Sequence, residues 1–511
     1  MHLNTIIVFS LLLWWPSVSA RERPWSDLTP VAMYLLVVAV VARSLAWRTC
    51  RRLRGDSVQR ARALVLYHRG AGALRFFLLA GFAYLIFSTR FAATLNNVTL
   101  LNVVPGAAPL VGVAPYCLGL ILVWWLLFPA ERAARRSVEQ EPQWSRGQYI
   151  TFNLRHQFLV LAIPLATLFL VYTTTEQYRQ TLARRLGTQW APDIILGATV
   201  MIVFILAPVI MRYVWTTSPL PDSPLRRRLL ALCDRIGLNV REILVWHSDK
   251  MMANAAVMGI IPRFRYILLS DALLEAMTDE EVEAVFGHEA GHVRHHHIPY
   301  FIVFAWVSLL IMQAVMEGLF LLRQNGIGAG VIDRQFIEIV GIASVLPLWL
   351  LGFGAISRRF ERQADIYGAS CASPGGSDRP CLTACALHDA TGRDGSAIAS
   401  GAICATGIRV FISALRKVAD LNGIAIREWS WRHSSISHRI TFLAELAGDG
   451  KLAGSFARRI RGIKIALLAT CVVGVFVGGL YVAKSPRYRR DVDKNFLEPI
   501  KRMLRNAPAR N

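Results

Sequence analysis

From Phe91 to Ala130 the chain carries no charged residue. An ordinary soluble domain has about one charged residue in four, so this stretch is not the surface of one. A lipid core about 30 Å thick is crossed by a helix of about 20 apolar residues, because only a closed helix satisfies its own backbone there. The same pattern recurs at Pro30–Trp47, Phe76–Ser88, Ala107–Phe128, Phe158–Tyr172, Ile194–Met211, Pro299–Met316, Phe336–Ile356 and Ile465–Val482. Each is expected to span a membrane. Phe76–Ser88 reaches that length only if Arg75 and Arg90 snorkel to the interfaces.

The net charge is +23. The surplus sits in short loops beside these spans: Arg51, Arg52, Arg54, Arg60, Arg62 and Arg69 after the first, and Arg132, Arg135, Arg136, Arg146 and Arg155 after the third. Basic loops at span ends mark the cytoplasmic side. With no nucleic-acid-binding motif present, the charge points to a lipid bilayer as partner and not to DNA or RNA. Residues 1–20 read as a signal-like segment or a first anchor, with an apolar run Ile6–Trp15 and a small-residue Val18-Ser19-Ala20. Whether they are removed stays open. The basic tail after Lys484 carries a short amphipathic stretch, Phe496–Leu504. Simple alternation of spans puts that tail outside and its charge puts it inside, so its side stays open too.

Charge returns to ordinary density over 213–298 and 357–462. The expected organisation is therefore 1–20, a membrane region of about five spans over 21–212, the first part of a soluble domain over 213–298, a two-span hairpin over 299–356, the second part over 357–462, and a last span with its tail over 463–511. Within the first soluble part, Leu225–Leu238 reads as an amphipathic helix. Glu242–Trp246 and Arg265–Leu269 read as strands, Ala253–Gly259 as an extended segment and Asp271–Met277 as a short helix.

Inside that part lies His288-Glu289-Ala290-Gly291-His292. Thr278 followed by Glu281 forms a capping box that starts a helix just upstream. On a helix, residues four apart share a face, so His288 and His292 can hold one metal ion and Glu289 can act as general base on a water at that ion. A catalytic zinc takes three protein ligands, which leaves one to find. Past the seventh span stands Ser357-Arg358-Arg359-Phe360-Glu361-Arg362-Gln363-Ala364-Asp365. Glu361 is the candidate ligand, and Asp365, four residues on, is the candidate acceptor for the second nitrogen of a ligating histidine. Taken without the histidines, the same pair reads as a solvated couple among arginines.

Other features carry weaker chemistry. His296 lies four past His292 on the metal face, but the run His295-His296-His297 reads more simply as the place where the helix meets lipid headgroups. Glu317 and Glu338 lie near span ends and read as interfacial. Cys50, Cys117, Cys233, Cys404 and Cys471 read as small core residues. Cys371, Cys381 and Cys385, with His388, have a spacing that fits no common zinc ribbon, so a second metal, a disulfide and no role all stay open.

HEAGH followed by SRRFERQAD resembles the HtpX / CAAX prenyl protease 1 family of integral-membrane zinc metallopeptidases. Asn254-Ala255 within ANAAVMG is similar to that family's Asn-Ala strand ahead of the metal helix. His433-Ser434-Ser435-Ile436-Ser437-His438-Arg439-Ile440 is similar to its late His-Pro-Ser-x-x-x-Arg-Ile motif, with Ser434 where proline is usual. The resemblance covers 220–445. It implies one zinc per chain on His288, His292 and Glu361, with Glu289 as base and Asp365 behind a ligand. It further implies His433 as a donor to the developing oxyanion, Arg439 holding His433 or the substrate, and Asn254 and Ala255 as an edge for an extended substrate, an ordinary sheet edge being the plain alternative.

The fold class expected is mainly α: a multi-pass helical membrane protein with an α+β, gluzincin-like metallopeptidase domain carrying a small sheet and the HExxH helix. The function expected is zinc-dependent cleavage of membrane or membrane-associated proteins in quality control, with processing of prenylated C-termini as the alternative. A non-enzymatic scaffold or metal transporter is the rival of another class. It lacks support, because no His or Asp lies mid-span and all four site residues are present. The signal-like start points to a bacterial inner membrane, with the catalytic domain facing the cytoplasm.

Overall fold

The computed structural model describes residues 2–16, 28–136, 144–373 and 404–484, apart from Gln189, Met251, Ala329 and Asp449. Cys381, Cys385 and His388, the end of the signal-like segment and the basic tail lie outside the described residues. The chain divides into two compact units, the first ending at Thr216 and the second beginning at Thr217.

The first unit is helical. Five of its helical stretches are long and apolar enough to cross a membrane: Thr29–Arg52, Arg62–Ser88, Ala107–Arg136, Arg146–Gln177 and Ala191–Val214. Each exceeds the apolar run that predicts it, because charged flanks continue the helix. The run Phe76–Ser88 is the clearest case. Asp56 caps a helix that starts at Ser57, accepting from the Gln59 amide at 2.7 Å. The span thus gains its length from the arginine-bearing segment before it. Arg146–Gln177 opens on a capping box of Ser145 and Gln148 and includes a π-helical turn over Leu154–Leu159. The apolar start forms a helix, His2–Leu12, with Val8 and Leu12 buried in this unit.

The second unit mixes helices with one four-stranded sheet. Its strands are β1 (Thr217–Pro219), β2 (Glu242–Trp246), β3 (Ala255–Met258) and β4 (Tyr266–Ser270), in the order β1-β2-β4-β3. β2 and β4 run parallel with Glu242 opposite Tyr266; β1 and β3 pair antiparallel with their neighbours. The apolar β4 is buried along its whole length, as a central strand covered on both faces must be. β3 is an outer strand. The amphipathic helix is Pro224–Ile236, capped by Ser223 and stopped by Gly237 at φ 65°. Glycine takes that left-handed stop position without strain.

Three further stretches are long and apolar enough to cross a membrane: His297–Gln324, Arg334–Cys371 and Leu452–Tyr481. With those of the first unit they make this a multi-pass membrane protein. Val472, Val473, Phe476 and Val477 on the last helix are exposed, as side chains facing lipid are. Glu317 accepts from the Tyr481 hydroxyl at 2.6 Å, and Glu338 pairs with Arg334 one turn away.

The helix Asp279–Arg294, hereafter the histidine helix, links sheet to spans. Thr278 and Glu281 form the expected capping box: the Thr278 hydroxyl accepts from the Glu281 amide at 3.3 Å and Glu281 accepts from the Thr278 amide at 2.9 Å. One face packs Val282, Phe286 and Ala290 into the core under the sheet, with Ile267, Leu269 and Leu273. Its other neighbour is Gly354–Cys371, the carboxylate helix, which continues the Arg334–Pro347 span through a second π-helical turn at Leu348–Phe353. The two helices touch through glycines. A Cβ on Gly287 would lie 2.6 Å from Cys371 Cβ, and one on Gly368 would lie 2.8 Å from the Ala284 carbonyl and 3.0 Å from the His288 amide. Bare backbone at these crossings lets two ligand-bearing helices approach more closely than alanines would allow. Cys371 is thus a buried core thiol of this contact, Cys50, Cys117, Cys233 and Cys471 are likewise free, and Cys404 is buried.

Candidate metal centre

The histidine helix and the carboxylate helix bring His288, His292 and Glu361 together. The i, i+4 spacing puts both imidazoles on one face, with Nε2 atoms 3.4 Å apart. Glu361 reaches in from the neighbouring helix, its Oε2 at 3.6 Å from His288 Nε2 and its Oε1 at 3.7 Å from His292 Nε2. Donors at about 2.1 Å from one tetrahedral ion stand about 3.4 Å from each other, so this triangle has the right edge for a zinc-sized ion. Two imidazoles and one carboxylate are also the donor set of known catalytic zinc sites.

Each donor is held from behind. His288 Nδ1 lies 2.9 Å from Asp365 Oδ1. Asp365 is fully buried and in turn accepts a fork from Arg439, Nε to Oδ2 at 2.9 Å and Nη2 to Oδ1 at 2.5 Å. Arg439 was expected to hold His433 or substrate. It is buried instead behind Asp365, on the side of the His288 ring away from the donor triangle, because the helix Ile436–Gly448 turns it inward. Burial opposes the charge of Arg439, but the carboxylate beneath it more than compensates and keeps it protonated.

The histidines differ accordingly. Burial works against a charged His288, yet its hydrogen bonds to Asp365 and Glu361 carry its pKa up to about 10. A cation at Nε2 would take the place of the proton that this field favours. Burial, helped by the His288 charge, lowers His292 to about 4, which keeps it a neutral donor.

Glu289 is half-buried beside the triangle. Burial pushes its carboxyl up to about 7, with His288 opposing and Glu361 adding to the shift. Its carboxylate also accepts from the Val257 backbone amide of β3. A carboxyl poised near neutrality can both take and return a proton. His433 is exposed at the mouth, with Nδ1 3.1 Å from Glu361 Oε2. Ser434 after it has φ 67°. That left-handed conformation is closed to proline, so the turn differs from a His-Pro-Ser turn in kind.

Asn254 lies just before β3. Its carbonyl accepts from the Ser270 amide at 2.9 Å. By antiparallel alternation Ala256 and Met258 also bond inward to β4. Ala255 and Val257 therefore point their backbone groups to the open edge, on the strand that touches Glu289.

The histidine run behaves differently from its sequence reading. The helix ends at Arg294, and His296 sits exposed at φ 57°, off the metal face. His297 starts the next helix, is fully buried and places Nδ1 2.9 Å from His292 Nδ1. Its Nε2 lies 3.0 Å from Gln363 Oε1, which also accepts from Lys464 at 3.4 Å. Sequence periodicity missed His297 because it assumes an unbroken helix; the clue was three histidines abutting the proline of a span.

Residues 219–447 match the model of peptidase family M48. The chain is similar to CAAX prenyl protease 1 of Saccharomyces cerevisiae, 28% identical over 195 residues, which is 34% of this chain and 42% of that protein. It is similar to the protease HtpX homolog of Aeropyrum pernix, 26% identical over 185 residues, 35% of this chain and 56% of that protein. The chain thus spans about half the length of the curated relatives it matches. The crystal structure of S. mikatae Ste24p aligns with a TM-score of 0.45 and 18% identity over 83% of this chain and 99% of that one. On the family match and the site it encloses, this chain carries a peptidase family M48 domain.

Proposed function

We propose that this protein is a zinc-dependent endopeptidase that cleaves membrane or membrane-associated proteins in quality control, working at the cytoplasmic face of a bacterial inner membrane. The peptidase domain is assembled from 213–298 and 357–462 around the hairpin 299–356. The observation that carries the reading is the donor triangle of His288, His292 and Glu361 with Glu289 beside it.

Zinc bound there would act as a Lewis acid and bring the pKa of a water to about 7. His288, His292 and Glu361 hold the ion, and Asp365 fixes the His288 ring so that Nε2 points inward. Glu289 takes the proton from the attacking water as its oxygen bonds to the peptide carbonyl carbon. It then delivers that proton to the departing nitrogen as the C–N bond breaks. His433, exposed and 3.1 Å from Glu361 Oε2, donates to the carbonyl oxygen as charge grows, a contact worth about 3–4 kcal/mol. The outer edge at Ala255 and the Val257 carbonyl, with Asn254 ahead of it, pairs with an extended substrate and aligns its backbone against Glu289.

A second reading, processing of prenylated C-termini, is supported by the likeness of the domain to CAAX prenyl protease 1 of S. cerevisiae and its Arabidopsis thaliana homolog. Both readings share the chemistry and differ in substrate. The test compares purified wild type with Glu289→Gln on an unfolded membrane protein and on a prenylated peptide. Cleavage that vanishes with the substitution, while zinc stays at one per chain, is expected with the first substrate. Equal cleavage by both proteins refutes the assigned base.

A further inference from the structure

We propose that His297 is a positioning residue for the metal ligand His292, and that Gln363 and Lys464 fix its ring. The proposal rests on the metal-site reading above.

A neutral imidazole that ligates through Nε2 must carry its hydrogen on Nδ1. His292 Nε2 faces the donor triangle, so its Nδ1 is the donor toward His297, 2.9 Å away. His297 then accepts at Nδ1 and carries its own hydrogen on Nε2. That nitrogen faces Gln363 Oε1 at 3.0 Å. Lys464 lies 3.4 Å from the same oxygen. Since an ammonium can only donate, it fixes which end of the amide points inward. Four side chains from four helices thus admit one consistent arrangement of hydrogens.

The ring has no freedom to leave this position. It is 0% exposed and stacks on Phe360, centroids 4.3 Å apart and planes at 7°. Phe360 adjoins Glu361, so one stack ties the partner of the second ligand to the carrier of the third. The Lys464 ammonium lies over the Tyr300 and Phe360 rings, a cation–π contact. It also donates to the His295 carbonyl at 2.7 Å, closing the corner between helices. Lys464 belongs to the last apolar helix, Gly450–Lys484, so that span helps build the metal site.

The competing account is that His297 only fills space. His297→Phe separates the two: it keeps an aromatic ring on Phe360 and removes the acceptor. His297→Asn places an oxygen near the Nδ1 position and keeps it. The full chain in detergent is measured by competition for zinc with a chromogenic chelator, and by the visible spectrum of the cobalt-loaded protein. His297→Phe is expected to lose about 10–100-fold in zinc affinity, the usual cost of removing such a partner, with a shifted cobalt spectrum. His297→Asn is expected to bind more tightly than His297→Phe, and Gln363→Leu and Lys464→Met, which leave the ring in place, to lose less than His297→Phe. If His297→Phe does not fold, those two carry the test. Wild-type zinc affinity in a folded His297→Phe, or in both outer variants, overturns the proposal alone. A wild type that binds no zinc overturns it together with the metal-site reading.

Discussion

Asp365 lies with one oxygen 2.9 Å from His288 Nδ1 while both its oxygens take the Arg439 guanidinium. The ligand is thereby oriented by a carboxylate that is itself neutralised from below. Asp365 is shut from solvent and Arg439 is buried, so each charge depends on the other. Breaking such a pair from one side costs about 3–5 kcal/mol, because it strands the partner.

Asp365→Asn therefore acts twice. It strands Arg439, lowering stability by about 3–5 kcal/mol, and weakens the hold on His288, lowering zinc affinity about 10–100-fold. Adding Arg439→Met removes the stranded charge. The double variant is expected to regain stability without regaining zinc affinity, as read by thermal unfolding of the apo protein and chelator competition. Recovery of both together would refute a separate orienting role for Asp365.

Gly287 sets how closely the two ligand-bearing helices approach. A Cβ there meets Cys371 Cβ at 2.6 Å, Sγ at 3.0 Å and Gly368 Cα at 3.2 Å. The Cys371 Cβ and Gly368 Cα positions are set by the backbone and cannot rotate away as a side-chain tip can, so Gly287→Ala forces the helices apart and widens the triangle. Overpacking of this kind costs about 1–3 kcal/mol, and zinc affinity is expected to fall with it. Adding Cys371→Gly removes two of the three contacts and leaves the third, so rescue is expected to be partial. Unchanged zinc binding in Gly287→Ala would show that the triangle tolerates a wider crossing.

Glu281 anchors the start of the histidine helix. Besides the Thr278 amide, it accepts from Ser413 at 2.7 Å and Lys417 at 2.6 Å. Burial alone would raise its carboxyl, but Lys417, Ser413 and Thr278 together hold it below the ordinary value of 4.5. A carboxyl lowered on folding stabilises the fold above its unfolded pKa and loses that contribution as pH falls through its folded pKa. Glu281→Gln is expected to cost about 1–3 kcal/mol at neutral pH. The gap between the two proteins is expected to narrow as pH drops below the ordinary carboxyl value. Thermal unfolding followed from neutral pH down into the acid range checks it; a gap independent of pH would sink the assignment.

The parts of this site written in local periodicity were legible from sequence. His288 with His292, and Glu361 with Asp365, are i, i+4 pairs on uninterrupted helices, and the Thr278 box names its own helix start. The apolar runs likewise announced the spans, though Ser57–Ser88 shows that a run gives the lipid-facing core of a helix and not its ends. What sequence hid depends on chain reversals. Continuing the helix past Arg294 puts His296 on the metal face; the left-handed turn at His296 instead delivers His297 behind His292, against its Nδ1. Arg439 pairs with a residue 74 positions away, and no spacing rule relates a guanidinium to a carboxylate across separate helices.

Ser434 tests the turn that carries His433. Its φ is 67°. That left-handed region strains an L-residue by about 1–2 kcal/mol and leaves glycine unstrained. The Ser434 amide bonds the Ser430 carbonyl at 2.9 Å, and the next residue, Ser435, caps the following helix through the His438 amide at 3.3 Å. Proline has its φ fixed at about −65° and no amide hydrogen, so Ser434→Pro loses both the turn and its hydrogen bond. His433 then leaves its place 3.1 Å from Glu361. The donor triangle lies on other helices and stays intact. Ser434→Pro is thus expected to keep one zinc per chain while its kcat falls, and Ser434→Gly to unfold at a higher temperature with activity preserved. A Ser434→Pro protein with wild-type turnover would mean that His433 takes no part in the reaction.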